Sequence, residues 1–565
     1  MDRQTIKLTT MYEAFPEGIL ETKNYVDFQI RNDEGQICIE FSGAAKAAKA
    51  LPGDRVEWLS KEGVCRILSR TKQPVLAGIL EINSKTKYGL TSRGSPLYLF
   101  LPFSKSYPMM IVGSSERDTT KNLIVIVDFD EWTTTGLPRA TLRKSLGRVG
   151  ERSAEQEALL WTYNPFQYNS RLLSSIFATP DPTSESNRKP HPQLCFNIDP
   201  PGCKDVDDVL GLVVGDDTVE LWITIADVAE LVPEGSILDT CARQQGATCY
   251  KDGAAERPML PFEFSEDRCS LLPGGSNPAV SLVLTYAKGN YTSPISKTWV
   301  ETTVQNERSY TYDEFIVDAQ ADGIPVWMLH QMAKGLYDKT LYTDVHTWVE
   351  AFMLTYNLEV AKVLRKSGRG ILRKHSSAEY SRLQTFSQWG ISQLAQRAAE
   401  YCPANDPAPL HYGLTVEVYC HATSPIRRYA DLVNQRVLKK FIRGEHIGIL
   451  VSPQLLTQLN RRQLELKRFE RDAFLLQQVY DSAGEVEVLV LERSERKLEN
   501  QSQPLTRLSI WVPSWKRKMS WSTVASIPVE VIPGLMIRLS YFANPTARYW
   551  KEHIAFRFDG IVTLE

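Results

Sequence analysis

A chain of 565 residues is too long for one hydrophobic core, so several domains are expected. With 43% hydrophobic and 23% charged residues it has a globular composition, and no apolar run is long enough to span a bilayer. Nine cysteines without a CxxC pair argue for a reducing compartment and against a disulfide frame or a zinc site, and a net charge of −2 leaves any nucleic-acid binding to local patches. The N-terminal MDRQTIKLTTMYEAF reads as neither a secretion nor a transit signal.

From about residue 15 to 160 short strands alternate with turn signals: Tyr25–Ile30, Ile37–Phe41 and Asp54–Leu59, then Gly78–Ile82, Leu97–Leu101 and Leu123–Phe129. This spacing predicts two small β-barrels in tandem. Lys85, Lys87, Tyr88, Arg93 and Tyr98 could line a surface for single strands, although such a scatter is more often ordinary barrel exterior. Arg139–Arg152, with five Arg or Lys and no acid before Glu151, is the best basic patch of this half. A helix is predicted to start near Ser153.

Residues 178 to 193 are proline-rich and polar and read as a loop. The stretch CFNIDPPGCKDVDD (Cys195–Asp208) follows. An apolar run, Leu194–Ile198, feeds Asp199; a Pro-Pro-Gly break leads to Asp205, Asp207 and Asp208; Val209–Val214 is again β-prone. Read as strand, turn, strand, it gathers four carboxylates at one end of a buried sheet. Asp205 and Asp207 share a face, Asp208 points the other way, and the turn folds Asp199 back. Four acids this close cannot all stay ionised without cations. Taken as a hard oxygen donor set, they favour Mg²⁺ or Mn²⁺ over Zn²⁺, and such an ion can polarise a phosphodiester. The alternatives are a solvated acidic loop, which would not need the flanking apolar strands, and a calcium loop, whose glycine and distal glutamate are missing.

Farther on, Leu221–Ala226 and Ala279–Tyr286 read as strands, Ser236–Gln245 as a helix, and residues 325 to 400 as mainly helical. Leu455–Tyr480 is one long amphipathic helix. Glu485–Leu491, Leu508–Val512, Met536–Phe542 and Ile554–Phe558 return to strands. Trp511, Trp515, Lys516, Arg517, Lys518 and Trp521 interleave aromatics with cations, which suits stacking on bases and neutralising phosphates. In HATSPIRRYADL (His421–Leu432), Thr423-Ser424-Pro425 is a helix-start signal that puts Arg427 and Arg428 one turn inside. A guanidinium there can grip a phosphate bidentately and offset charge growing on it; the alternative is a structural Arg paired with Asp431 or Glu470.

With these motifs the chain resembles the ribonuclease II (RNB) exoribonucleases, which degrade RNA from the 3′ end. IDPPGCKDVDD looks like the family signature. ITIADVAELVPEGSILD, RPMLPFEFSEDRCSLLPGG, WVEAFMLTYN and HYGLTVEVYCHATSPIRRYADL look like family blocks in the family's order. The resemblance implies a multidomain chain: an α/β (α+β) RNB catalytic domain over 161–480, two cold-shock-like OB barrels over 1–75 and 76–160, and a C-terminal OB-type RNA-binding domain over 481–565. It implies Mg²⁺, or Mn²⁺, on Asp199, Asp205, Asp207 and Asp208, with Asp207 and Arg427 catalytic. Tyr250 would stack on the 3′-terminal nucleotide. Arg427, Arg428, Glu470 and Trp515-Lys516-Arg517-Lys518 would also contact RNA.

The implied reaction is processive 3′→5′ hydrolysis of single-stranded RNA to 5′-nucleoside monophosphates, in RNA turnover and processing. The expected protein is a cytoplasmic monomer, with an organelle matrix as the alternative location. It has no membrane or disulfide-linked partner, and a helicase or RNA-degradation complex stands as a further partner. Three departures stand out. A basic, aromatic-bearing stretch is missing between Pro325 and His346, Thr224 and Gln435 stand where many members have His, and the C-terminal domain lacks most of its usual signature. The rival is an RNA-binding scaffold that kept the fold and lost turnover, but no metal ligand or phosphate-contacting Arg is missing here.

Overall fold

The computed structural model describes residues 16–70, 73–130, 132, 136–178, 188–448, 451–496 and 504–562. The N-terminal MDRQTIKLTTMYEAF and most of the loop read at 178–193 lie outside the described residues. The chain forms two compact units, one of Met1–Pro165 with Glu465–Glu565 and one of Phe166–Leu464.

The first unit begins with β1 (Glu17–Thr22), β2 (Asp27–Arg31), β3 (Ile37–Ser42), β4 (Arg55–Leu59) and β5 (Val64–Ser69), in the sheet order β3-β2-β1-β4-β5. β6 (Val75–Leu80), β7 (Leu97–Pro102), β8 (Met110–Gly113), β9 (Leu123–Phe129) and β10 (Arg139–Arg148) repeat that order, and here the third strand meets the fifth in parallel. That pairing closes a barrel of OB topology. β9, LIVIVDF, is buried nearly throughout because both its faces are covered. α1 (Arg152–Tyr163) follows.

Two expectations for this half change. Tyr98 is a core residue with Lys87 Nζ lying 4.0 Å from its ring centroid, so it offers no face to a base. The basic run at Arg139–Arg152 is largely neutralised: Arg143 pairs with Asp128, Arg148 with Glu116 and Asp118, and Arg152 with Asp481. Acids brought in from neighbouring strands and from far along the chain cancel what looked like a patch in one dimension.

The second unit opens with α2 (Ser170–Phe177), β11 (Lys189–Pro190), β12 (Leu194–Asp199), β13 (Asp208–Val214) and β14 (Thr218–Ala226). α3 (Val228–Leu231) and α4 (Ile237–Gln245) follow, then β15 (Cys249–Lys251), β16 (Ala254–Arg257), β17 (Asn277–Ala287), β18 (Ser296–Val304) and β19 (Arg308–Thr311). Seven of these strands form one sheet, β11-β18-β17-β14-β13-β12-β19. α5 (Phe315–Ala321), α6 (Val326–Leu336) and α7 (Val345–Ser367) come next. In α7 the buried Trp348, Phe352, Tyr356, Val360 and Leu364 recur every fourth residue, one stripe along a helix. Tyr356 carries that stripe onto the sheet, its hydroxyl donating to the Val280 carbonyl at 3.3 Å and its ring meeting Trp299 edge-on. β20 (Ile371–Lys374) and β21 (Glu400–Pro403) pair around α8 (Tyr380–Gln388), and α9 (Tyr429–Ile442) completes the unit's core.

Thr224 and Gln435 have structural roles. Thr224 joins His191 Nε2 (2.9 Å) to the Ser281 hydroxyl (2.7 Å) inside the sheet. Gly211 leaves room for that imidazole: a Cβ there would lie 2.4 Å from His191 Cε1. Gln435 bonds the Ala226 carbonyl and the Ala229 N–H. Burial pushes His191 down to about 4, and His411 likewise, from the usual 6.5. At these two histidines the unfolded chain binds protons between pH 6.5 and 4 that the folded unit refuses, so their own effect destabilises the fold as pH drops through that window, whereas the raised carboxyl of Asp207 acts with the opposite sign. Each histidine contributes roughly 3 kcal/mol by pH 4. Thermal melts of wild type and His191→Gln across pH isolate this effect: the variant should lose less stability, or gain more, than wild type between pH 6.5 and 4, and the same pH dependence in both would contradict the assignment.

α10 (Pro453–Asp481) runs from the second unit back into the first. β22 (Gly484–Arg496), β23 (Leu505–Val512), β24 (Arg517–Thr523), β25 (Met536–Ala543) and β26 (Ile554–Ile561) form the sheet β24-β23-β22-β25-β26, the OB order once more. A short turn, Trp550–His553, seats this segment on the closed barrel. Trp550 stacks on Phe103 and donates to its carbonyl at 2.8 Å. His553, fully buried, bonds Glu155 on α1 at 2.9 Å, and Tyr480 on α10 donates to the same carboxylate at 2.8 Å.

Candidate active site

β12 and β13 pair only as far as Phe196↔Leu210. Beyond that point β12 stays with β19, up to Asp199↔Thr311, while β13 stays with β14, starting at Asp208↔Ile225. The two strands part, and the opening holds Asp199 on one lip and Asp208 on the other. The loop between them is pinned through Val206, which is buried: its N–H donates to the Ser270 hydroxyl (3.0 Å) and its carbonyl accepts from the Leu271 N–H (2.9 Å). Val206 is flanked by Asp205, which is half-buried, and Asp207, which is buried with it.

Asp207, 4% exposed, links two distant parts of the chain. Its carboxylate accepts the Ile426 N–H at 3.0 Å and Arg427 Nε at 3.1 Å. Burial pushes Asp207 up to about 7, against the pull of Arg427 and the Ile426 N–H. Burial also raises Asp199, with Asp205 adding to the effect, and raises Asp208 strongly, with Asp199 and Asp207 adding. Burial works against the Arg427 charge, but Asp207, Tyr250 and Asp205 hold it on. The Arg427 side chain remains 45% exposed, so its terminal nitrogens can reach a ligand.

The helix expected to start at Ser424 starts at Tyr429 instead. The Arg427 carbonyl accepts from the Thr248 N–H and the Tyr429 N–H donates to the Gly246 carbonyl, both at 3.0 Å, so Arg428 between them is held extended against Ala247. Ser424 to Arg428 form a tight turn whose entry is capped by Asp431, which accepts the Ser424 N–H at 2.9 Å. Asp431 also takes Arg428 at 2.8 Å. Of the adjacent pair, Arg427 faces the aspartates and Arg428 is tied to a buried acid of its own helix.

The same backbone pairing delivers Tyr250. β15 and β16 form a hairpin whose turn, Asp252-Gly253, has positive φ at both residues, a conformation suited to Asp-Gly. The Tyr250 hydroxyl donates to Asp205, and burial followed by the Asp205 charge raises its pKa. Tyr250 therefore borders the acidic cluster.

Sequence reasoning missed several neighbours. Tyr312, just past β19, feels Asp208 and Asp199, which together with burial raise its pKa, and its ring stacks on His346 at 3.8 Å. Asn306 donates to Asn197, which donates to Asp199 at 2.9 Å, a buried amide relay that aims the carboxylate. Cys203 also borders the acids, its thiol donating to Asp205 at 3.7 Å while burial and the charges of Asp199 and Asp205 keep it protonated. The parallel pairing of β12 with β19 is what brings Tyr312 in, and no local pattern announces it.

The remaining sequence candidates lie in the first unit. Glu470 is exposed on α10. Trp515 is half-buried against Phe474 and Tyr541, Arg517 lies over the Phe474 ring at 4.3 Å, and Trp521 is in the core, so these aromatic faces are already occupied. Lys516 is exposed at the turn before β24.

Among the described residues, the acids whose oxygens come within 4.8 Å of one another are Asp227, Glu230 and Glu301. That group is matched by Arg188, Lys439 and Arg443 and needs no metal. The four aspartates are different. Of the four, among the described residues, only Asp207 has a cation in ion-pair range, and burial, with neighbouring carboxylates adding to it, raises Asp199 and Asp208, so the donor chemistry fits a divalent cation.

The RNB domain pattern matches residues 188–324 and 329–444, which contain every part of this cluster. The chain contains an RNB domain. In this RNB protein the Dis3-like cold-shock domain 2 (CSD2) pattern also matches, over 97–164, which holds β7 to β10 of the closed barrel and α1. The mouse exosome complex exonuclease RRP44 is 27% identical over 472 residues, covering 68% of this chain and 48% of the relative. Ribonuclease R of Aquifex aeolicus is 24% identical over 404 residues, covering 57% of each. The chain thus spans about half the length of the curated relatives it matches. Mycoplasma genitalium RNase R, solved with ribose-methylated single-stranded RNA, superposes with a TM-score of 0.72 at 16% identity over 96% of this chain and all of that one. Yeast Ssd1, described as a pseudonuclease, superposes at 0.63 over 94% of this chain and 82% of that one, with 16% identity.

Proposed function

We propose that the chain is a metal-dependent 3′→5′ exoribonuclease that hydrolyses single-stranded RNA processively to 5′-nucleoside monophosphates. The observation that carries the reading is the Asp207–Arg427 junction. It sets a guanidinium with free reach beside four clustered carboxylates, as hydrolysis of an anionic diester requires. Bound Mg²⁺ or Mn²⁺ on Asp199, Asp205, Asp207 and Asp208 would supply Lewis-acid polarisation of the phosphodiester. The chain's own residues do the rest. Arg427, oriented through Nε by Asp207, offers its terminal nitrogens to a phosphate oxygen. Asn306 and Asn197 hold Asp199, Ser270 and Leu271 hold the 205–207 loop, and the Tyr250 ring gives the last base a wall.

Ssd1 supports a second reading, an RNA binder without turnover. It shares the fold, whereas the full carboxylate set and Arg427 favour chemistry here. Purified protein with end-labelled single-stranded RNA, in Mg²⁺, in Mn²⁺ and in EDTA, separates the two. Mononucleotide release from the 3′ end that EDTA stops is the expected result, and binding without cleavage in either metal would overturn it. We place the activity in the cytoplasm, and the RRP44 relatives make an RNA-degradation complex a candidate setting.

Tyr250 separates ring from hydroxyl. Stacking contributes about 1–3 kcal/mol per base, most important when few nucleotides remain. Tyr250→Ala should still cut long strands but release longer end products. Tyr250→Phe, which keeps the ring and loses only the bond to Asp205, should leave product length unchanged. Denaturing gels size the remnants, and equal lengths for wild type and a stably folded Tyr250→Ala would assign the wall to another residue.

A further inference from the structure

Asn197 and Asp199 lie on one face of β12, and the parallel register with β19 sets Asn197 opposite Ser309. Asn197 Nδ2 donates to Asp199 Oδ2 and to the Ser309 hydroxyl, each at 2.9 Å. Its oxygen accepts from Asn306 Nδ2 at 2.8 Å, and Asn306 Nδ2 also donates to the Leu271 carbonyl at 2.9 Å. A carboxylate and a carbonyl can only accept, so these partners fix which way each amide points. Asn197 is 1% and Asn306 2% exposed, so neither can turn to water. Two buried amides beside Phe196 and Ile198 are costly unless their bonds are made, and one of those bonds holds a carboxylate oxygen of the acidic cluster.

The neighbouring acids are committed in the same way. Asp205 accepts the Tyr250 hydroxyl on Oδ2 and the Cys203 thiol on Oδ1. Asp207 takes the Ile426 N–H on one oxygen and Arg427 Nε on the other. Carboxylates tied to protein donors in this manner offer a cation one oxygen rather than both. Mg²⁺ takes compact octahedral ligation by single oxygens and water, whereas the larger Ca²⁺ readily accepts both oxygens of a carboxylate. We infer that Asn197 and Asn306 are positioning residues that restrict Asp199 to one-oxygen ligation and so bias the site against Ca²⁺. The inference rests on the reading above that a divalent cation sits on the aspartates, but not on RNA or on cleavage.

The test uses the full chain without RNA. Mn²⁺ is bound, the free ion is read by electron paramagnetic resonance, and Mg²⁺ or Ca²⁺ is titrated in as competitor. Removing an outer partner of a metal ligand costs about 10–100-fold in affinity. Asn197→Ala should weaken Mg²⁺ by roughly tenfold and Ca²⁺ much less, so the ratio of the two affinities moves toward Ca²⁺. Asn306→Ala, which leaves Asn197 in place but unanchored, should move it the same way. Ser309→Ala, at an exposed position, should do so by a smaller factor and decides the matter if neither amide variant folds. An equal loss for the two ions marks a merely structural role and overturns the inference, as does an unchanged ratio. A shifted ratio in a chain that cuts no RNA upholds the relay and rejects the exonuclease. A wild type that binds Mn²⁺ and cuts RNA, with a ratio that no variant moves, rejects the relay and keeps the exonuclease; a wild type that binds no Mn²⁺ rejects both.

Discussion

Asp207→Asn is expected to abolish hydrolysis, with a rate loss on the order of 10³ or more, while single-stranded RNA still binds. The amide oxygen can keep the Ile426 N–H, so the loop and the Ser424–Arg428 turn stay joined. The amide nitrogen, however, is a donor facing Arg427 Nε, another donor, so the orienting bond is lost. One negative ligand is lost at the same time, from a cluster whose charge is what attracts a cation. Removing a single preorganised electrostatic contact at a reacting centre already costs about 10²–10³, and here two go together. Single-turnover cleavage of labelled RNA at saturating Mg²⁺, beside anisotropy binding, checks this. Wild-type rates would remove the cluster from the chemistry.

Arg427→Lys is expected to lose on the order of 10² in rate although it keeps the charge. In the wild type Nε is spent on Asp207, which turns the guanidinium so that its outer nitrogens face away from the acid. Lysine has one nitrogen and must choose between Asp207 and substrate, and it has no planar fork to hold a phosphate by two oxygens. If the residue acts on phosphate, the loss appears in the chemical step of single-turnover reactions with melting unchanged. A lysine variant that cuts at the wild-type rate would make Arg427 a structural link between the loop and the turn.

How far the site could be read from residue order depends on the range of each contact. The aspartates were legible because their geometry is local: an apolar strand, a Pro-Pro-Gly break and a second strand within the stretch from Leu194 to Val214 place Asp199 and Asp208 at strand ends whatever else the chain does. The same holds for α4 with its Ser236 cap, for the i, i+4 stripe of α7, and for most strands of the three OB-ordered sheets, whereas β1, β5, β8, β10 and β24 carried no such signal. The start of α9 was misread because Thr-Ser-Pro is a sound local signal that a distant one overrides. Backbone bonds from Gly246 and Thr248 hold Arg428 extended, and no helical window contains residue 246. Tyr312 and Asn306 arrive through β19, whose parallel pairing with β12 spans more than a hundred residues. The Trp515–Lys518 segment failed for a different reason. Alternation shows that a strand has two faces but not which one a neighbouring helix covers, and Phe474 takes both Trp515 and Arg517.

The first unit is assembled from two stretches of chain separated by three hundred residues of the other. Its closed barrel is seated against Trp550, and Glu155 on α1 is satisfied by Tyr480 and His553. During synthesis the barrel strands and α1 emerge early, but the groups that cover Phe103 and the buried Glu155 emerge close to the end of translation. The inserted unit has no such wait, since its sheet and helices lie between residues 166 and 464. Domains fold as units once their residues are available, and exposed apolar surface on an incomplete one recruits chaperones or aggregates. The acidic pocket would thus be built on the ribosome before the first unit is finished. A nascent chain stalled between residues 464 and 550 would carry the finished aspartate pocket attached to an unfinished first unit, a species for quality control to recognise by its uncovered barrel.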